Sequence, residues 1–214
     1  MKEKTDSHIN SLLERYPELA TCRHSIIEVF NIIRDCYQAG GKVLVCGNGG
    51  SAADAEHICG ELMKGFLKKR PLDNALKEKI HRLDAERGLY IGEHLQQGLP
   101  AIPLYNIGLF TAFINDVVAD LVYAQQVVGL GKPGDVLWGI STSGNAKNVF
   151  YALITARAIG LKTVGLTGEK GGKMAGACDA VIKVPSNCTP DIQEYHLPVY
   201  HCLCKMLEEE FFEI

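Results

Sequence analysis

Residues 42–66 read KVLVCGNGGSAADAEHICGELMKGF. An apolar run passes into the turn GNGG, which carries no bulky side chain, and then into a stretch whose Ala, Ile, Cys and Leu recur at helical spacing. A β-rich run, a glycine turn and a helix in direct succession are the opening of a βαβ unit. Four more β-rich runs follow, at 101–105 (AIPLY), 135–140 (DVLWGI), 162–166 (KTVGL) and 180–184 (AVIKV), with helical patterns in the gaps. These runs are nearly continuous in Val, Ile and Leu rather than alternating, as strands buried on both faces of a parallel sheet must be. The expected fold is α/β, a doubly wound sheet of five parallel strands whose ligands bind beyond the carboxyl ends of the strands.

Upstream of that core, residues 1–40 carry two helical patterns, INSLLERY and SIIEVFNIIRDCYQAG, separated near Pro17 and stopped by Gly40 and Gly41. Residues 67–100 interrupt the strand–helix spacing. They are charged, helical in pattern and punctuated by Gly88 and Gly98, and they read as an inserted helical excursion. The 214 residues suit one domain, 1–214, and 47% hydrophobic with 22% charged residues is ordinary for a globular chain. A net charge of -3 with scattered Lys and Arg leaves no basic stripe, which argues against nucleic acid and membrane surfaces as partners and for a small ligand. No apolar run approaches the roughly 18 residues of a membrane span. The first residues are charged where a signal peptide has its apolar core, so a cytoplasmic protein is expected. Of eight cysteines, Cys36, Cys46, Cys59, Cys202 and Cys204 sit in apolar periodic segments and none forms a C-x-x-C pair, the usage of reduced core thiols.

The turn CGNGGSA matches the dinucleotide pattern G-x-G-x-x-A, but a Rossmann unit returns to its second strand within about 30 residues and places an acid there. Here the next β-rich run starts at 101 and is followed by Asn106 and Ile107. The simpler reading is that Gly47, Gly49 and Gly50 let backbone approach a ligand closely, Ser51 caps the helix, and Asn48 bonds sugar hydroxyls. A second turn, GISTSGNAKNV at 139–149, places Ser141, Thr142 and Ser143 directly after a strand, with Gly144 and Asn145 opening the next helix. Three hydroxyls beside helix amides make a phosphate cradle, and without G-K-[ST] it is not a triphosphate loop. Thr167, in LTGEKGGK, offers one more donor. His57 and Glu61 stand four residues apart and so share a helix face. Gln193, His196 and His201 lie in a last helix that Pro198 should kink, and periodicity does not choose between the two histidines.

Taken in order, CGNGGSAADAEHICGEL, GISTSGN, GLTGEKGGKMA and IQEYHLPVYH resemble the sugar isomerase (SIS) domain family, and within it the phosphoheptose isomerases. The resemblance covers about 42–66 and 99–213. It implies a three-layer, flavodoxin-like sandwich with five parallel strands, an N-terminal helical pair used in a homotetramer, and sites shared between subunits. It implies isomerisation of a phosphorylated ketose, foremost sedoheptulose 7-phosphate, with a non-catalytic phosphosugar-binding or replication-initiator-associated module as the alternative. By the same resemblance Asn48, Gly49 and Gly50 meet the sugar, Asn115 and Asp116 of FIND line the site, and Ser141, Thr142 and Ser143 hold phosphate. Glu61 and His201 are the implied catalytic pair, and His57, Glu61, Gln193 and His201 the implied zinc ligands. The chain departs from the family pattern at Ala146, where a serine is usual, at Lys64 and Gly65, where GR is usual, and at Pro190, where an acid is usual.

Overall fold

The computed structural model describes residues 3–212. Two helices open the chain, α1 (Glu3–Arg15) and α2 (Arg23–Gln38), with a 3-10 turn at Pro17–Cys22 between them. The strands are β1 (Val43–Cys46), β2 (Ala101–Pro103), β3 (Val136–Ile140), β4 (Lys162–Gly168) and β5 (Ala180–Val184). Helix α3 (Gly50–Met63) follows β1, and α4 (Asn74–Leu83) and α5 (Ala85–His94) lie on the way to β2. Next come α6 (Ile107–Asp116), α7 (Val122–Leu130), α8 (Lys147–Ala158) and the long α9 (Thr189–Phe211), which continues through Pro198.

All strand pairs are parallel and the order is β2-β1-β3-β4-β5. Strand order reverses between β1 and β3, which pair from Val43–Val136 to Cys46–Gly139. Because successive strand residues face opposite sides, Val43 and Val45 join Val136, Trp138 and Ile140 in a core with α1, α2, α3 and α9. Leu44, Cys46 and Leu137 face the other way, against Val122, Tyr123, Val149, Leu153 and Met174. The three expected layers are thus present, and every residue of β1 and β3 is buried as its unbroken apolar run demands.

Residues 67–100 do form helices: α4 and α5 pack as an antiparallel pair, tied at the base by a bridge between Pro71 and Gln96. The first turns of this segment are clamped to α9 by a buried ion pair. Glu208 accepts the backbone N–H of Phe66 (2.8 Å) and Leu67 (2.7 Å) and the Nε–H of Arg70 (2.8 Å), while Arg70 donates to the Leu62 carbonyl (2.7 Å). Both side chains are at most 1% exposed, and the network satisfies the charges that burial would otherwise penalise. The eight cysteines are all free thiols: Cys22, Cys36, Cys46, Cys59, Cys202 and Cys204 are buried, Cys178 is half-buried and Cys188 is exposed.

Candidate active site

At the β1–β3 switch point the carboxyl ends of two adjacent strands release the two turns singled out in the sequence. After β1, Gly49 adopts φ 58 and ψ -122, a backbone reserved for glycine, and itself forms the N-terminal boundary of α3. The expected cap by Ser51 is therefore not made: Ser51 lies one residue inside the helix at 3% exposure. Gly50 has a different reason to lack a side chain. A Cβ there would come within 2.5 Å of Gln193 Nε2, so any larger residue would push the end of that side chain off the turn.

The two turns are joined across the switch point. Asn48 Nδ2 donates to Asn148 Oδ1 and Asn148 Nδ2 donates back to Asn48 Oδ1, both at 2.9 Å. Tyr123 at the start of α7 donates to the Gly47 carbonyl and fixes the first turn from below. In the second turn Ser141 is buried and Ser143 exposed, its Oγ accepting the Asn145 N–H (3.2 Å). Gly144 has φ +67, and a Cβ there would meet the Gly171 carbonyl oxygen at 2.0 Å, so the 168–176 loop packs directly on this turn. Helix α8 opens at Lys147, two residues later than Asn145, with Ala146 at the cap position making no side-chain bond. Thr167 is not a spare donor: it is buried and its hydroxyl bonds the Thr142 carbonyl (3.3 Å).

On α3, His57 Nε2 lies 3.3 Å from Glu61 Oε1, as four-residue spacing allows, and α9 brings His201 Nε2 to 3.4 Å from His57 Nε2. Lys64, one turn beyond Glu61, holds its other oxygen at 2.9 Å. The Glu61 side chain is only 14% exposed, so both oxygens are oriented rather than solvated. Tyr200 meets His57 Nδ1 at 2.9 Å and Asp54 Oδ1 at 3.3 Å. Burial lowers the His201 pKa, helped by neighbouring His57 and Lys205 and opposed by Glu61, which favours a neutral imidazole. His196 faces the core instead. It is fully buried, and burial pushes its pKa down to about 4 against the opposing pull of the Thr167 backbone.

Geometry thus brings together His57, Glu61 and His201, and separately sets Gln193 against Gly50 and Asn48 against Asn148, with Ser141, Thr142 and Ser143 after the end of β3. Asn115 and Asp116 are exposed at the end of α6, where Asn115 donates to Asp116 (2.8 Å) and to no residue of the cluster. Sequence reasoning missed Asp54, Lys64, Asn148 and Tyr200. Helical spacing could have found Asp54 and Lys64, three residues from His57 and Glu61; nothing local signals the other two.

The sequence profile of the SIS domain family matches residues 7–91 and 98–168. This chain belongs to the SIS domain family. A phosphoheptose isomerase of Rhodospirillum rubrum is 38% identical over 98% of both chains, and one of Akkermansia muciniphila 35% identical over 99% of both. The solved phosphoheptose isomerase of Neisseria gonorrhoeae superposes with a TM-score of 0.73 at 30% identity, covering 97% of this chain and 98% of that one. Within the SIS family the chain is therefore a phosphoheptose isomerase homologue and an isomerase, and the α/β architecture expected from residues 42–66 is the family's. Among the described residues no helix is long and apolar enough to cross a membrane.

Proposed function

We propose that this SIS-domain isomerase converts sedoheptulose 7-phosphate to the corresponding aldose, glycero-manno-heptose 7-phosphate. The observation that carries the reading is the meeting of Glu61, His57 and His201 beside a hydroxyl-rich turn at the strand-order switch. Ketose–aldose isomerisation needs a base to take a proton from the carbon next to the carbonyl and return it to the former carbonyl carbon, while a proton moves between the oxygens. Glu61, oriented by Lys64 and His57, is the carbon base. His201, favoured in its neutral form, exchanges protons with the oxygens. Asn48, Gly49, Gly50, Ser51 and Gln193 face the polyol, and Ser141, Thr142 and Ser143 with the first amides of α8 hold the phosphate. Ala146 leaves this cradle one hydroxyl short of the family's usual pattern, which Thr142, Ser143 and backbone amides are placed to offset.

Zinc fits the donor set in part. Ligand atoms on a tetrahedral zinc with bonds of about 2.0–2.1 Å lie about 3.3–3.4 Å apart, and His57 Nε2 has both Glu61 Oε1 and His201 Nε2 at that spacing. No group of three or more His, Cys, Asp or Glu among the described residues is set to hold an ion as it stands; the family resemblance implies Gln193, which rests against Gly50, as the fourth ligand. When bound, the ion supplies a Lewis acid for a substrate oxygen; it would also lower the basicity of Glu61.

The enzyme is proposed to act in the cytoplasm, consistent with eight free thiols, and as a homotetramer with sites shared at interfaces. Supporting the latter, Tyr105, Ile107, Leu109, Ile114, Val117 and Val118 are all exposed around α6, and α6 carries Asn115 and Asp116. A second chain over that apolar surface would bring these two residues to a site.

An NMR assay of the purified chain with sedoheptulose 7-phosphate, with and without zinc, tests the reaction. Aldose signals should grow in, and Glu61→Gln should slow them by at least about 10²–10⁴-fold while phosphate-ester resonances still shift on binding. Undiminished turnover in Glu61→Gln would remove Glu61 from its role, and no product at all would leave a phosphosugar-binding module.

A further inference from the structure

Asn48 and Asn148 stand 100 residues apart in the chain and close a ring across the strand-order switch, each amide donating to the other at 2.9 Å. Which end of each amide is the oxygen is fixed by a third group. Val149 is the third residue of α8, so its N–H belongs to the first turn, where no carbonyl of the helix can accept it. It donates instead to Asn148 Oδ1 at 3.0 Å. A backbone N–H needs an acceptor, so the Asn148 atom at that place is the oxygen and not the amide nitrogen. The Asn48 atom beside the same oxygen is then its nitrogen, and Asn48 Oδ1 faces Asn148 Nδ2.

The bonds left over give the pair a polarity. Asn148 Oδ1 accepts twice, from Val149 and from Asn48. Asn48 Oδ1 accepts from Asn148 and also has the Tyr123 hydroxyl at 3.3 Å. An amide oxygen has two lone pairs and an amide nitrogen two hydrogens, so both oxygens are occupied while one N–H on each nitrogen stays free. Asn48 is exposed and Asn148 half-buried. A ligand at Asn48 therefore meets a donor and no free acceptor. From this geometry we infer that Asn148 is a positioning residue: its amide locks Asn48 so that Asn48 offers the substrate an N–H, which selects an oxygen acceptor, carbonyl or hydroxyl, at that point. The inference deepens the proposed function and rests on Asn48 facing the polyol.

The test takes the full chain as wild type, Asn148→Ala, Asn48→Ala and the double variant. Side-chain amide signals in ¹⁵N–¹H NMR spectra, assigned by their loss in each variant, report the lock without substrate. Asn148→Ala should move the two Asn48 proton signals to the positions of a free asparagine amide; Asn48 signals that stay in place overturn the inference. Steady-state isomerisation of sedoheptulose 7-phosphate then shows what the lock does. Asn148→Ala should lower kcat/KM about 2–10-fold, the worth of one neutral hydrogen bond. In the Asn48→Ala background it should change little, because a residue that acts through another then has nothing to position. The same loss in both backgrounds means that Asn148 acts by a contact of its own, and overturns the inference. Should Asn148→Ala fail to fold, Asn148→Ser, which keeps a hydroxyl for the Val149 N–H but is too short to reach Asn48, repeats both readings. A wild type that makes no product sinks the proposed reaction, while the same cycle read in dissociation constants for the phosphosugar still decides the role of Asn148. A wild type that does not bind the phosphosugar either overturns both.

Discussion

Two histidines five residues apart on α9 have opposite fates. His201 reaches the site because it projects toward α3, where Phe66 and His57 flank its ring at 5.2 and 4.9 Å between centroids. His196 projects into the core, and its pKa of about 4 against 6.5 for the free residue makes folding proton-dependent. Between those values the unfolded chain binds a proton that the folded chain refuses. The stability is therefore fully present above about pH 6.5 and is lost as pH falls toward 4, by up to ~3 kcal/mol at 1.36 kcal/mol per unit. Urea midpoints measured from pH 7.5 to 4.5 should drop in the wild type, and the drop should be smaller in His196→Leu; parallel curves would mean His196 is protonated in the folded state. Spacing alone could not tell the two histidines apart because the long apolar stretch of α9 is buried on more than one side. Four-residue spacing did place His57 with Glu61, since both lie on one helix face. Ser51 misled for a related reason: a serine after glycines is a good cap only when the glycines stay outside the helix, and Gly50 is its first residue.

Strands were readable because burial on both faces leaves an unbroken apolar run, and the β5 run at 180–184 matches to the residue. β2 is shorter than its run, ending at Pro103 in an edge strand paired on one side only, where proline's missing N–H costs least. Long-range clamps left no such trace. Nothing local shows that Glu208, 142 residues from Phe66, receives the N–H groups of the chain leaving α3. That contact ties the element bearing His201 to the element bearing Glu61. Replacing Glu208 by Ala leaves Arg70 buried and unpaired and should cost about 3–5 kcal/mol of unfolding free energy, whereas replacing both with apolar residues of similar volume should cost much less. A double-mutant cycle in urea measures this, and equal costs for the single and double variants would show that the pair contributes little beyond packing.

For the molecule as a whole, the apolar surface around α6 is left uncovered by the described residues, with Ile107 67% and Val117 65% exposed. Sedimentation should give four times the 23.4 kDa chain mass, and Ile107→Glu with Val117→Glu should shift it to smaller species and reduce turnover together. Full activity in a monomer would refute shared sites. The fold was legible from one chain because its core lies within that chain, whereas the proposed assembly would join surfaces that sequence order does not pair. Thiol placement has a further consequence, for how the protein ages. Burial raises Cys36 to about 11 and Cys59, Cys178 and Cys202 to about 12, with Cys46 and Cys204 higher still. Reaction with alkylating agents needs the thiolate, so native protein at neutral pH should take up iodoacetamide at Cys188 alone, and at all eight positions after denaturation, as counted by intact mass. The buried thiols should therefore survive storage in air, and Cys188 offers a ready-made single attachment point for a fluorophore at the start of the helix that carries His201.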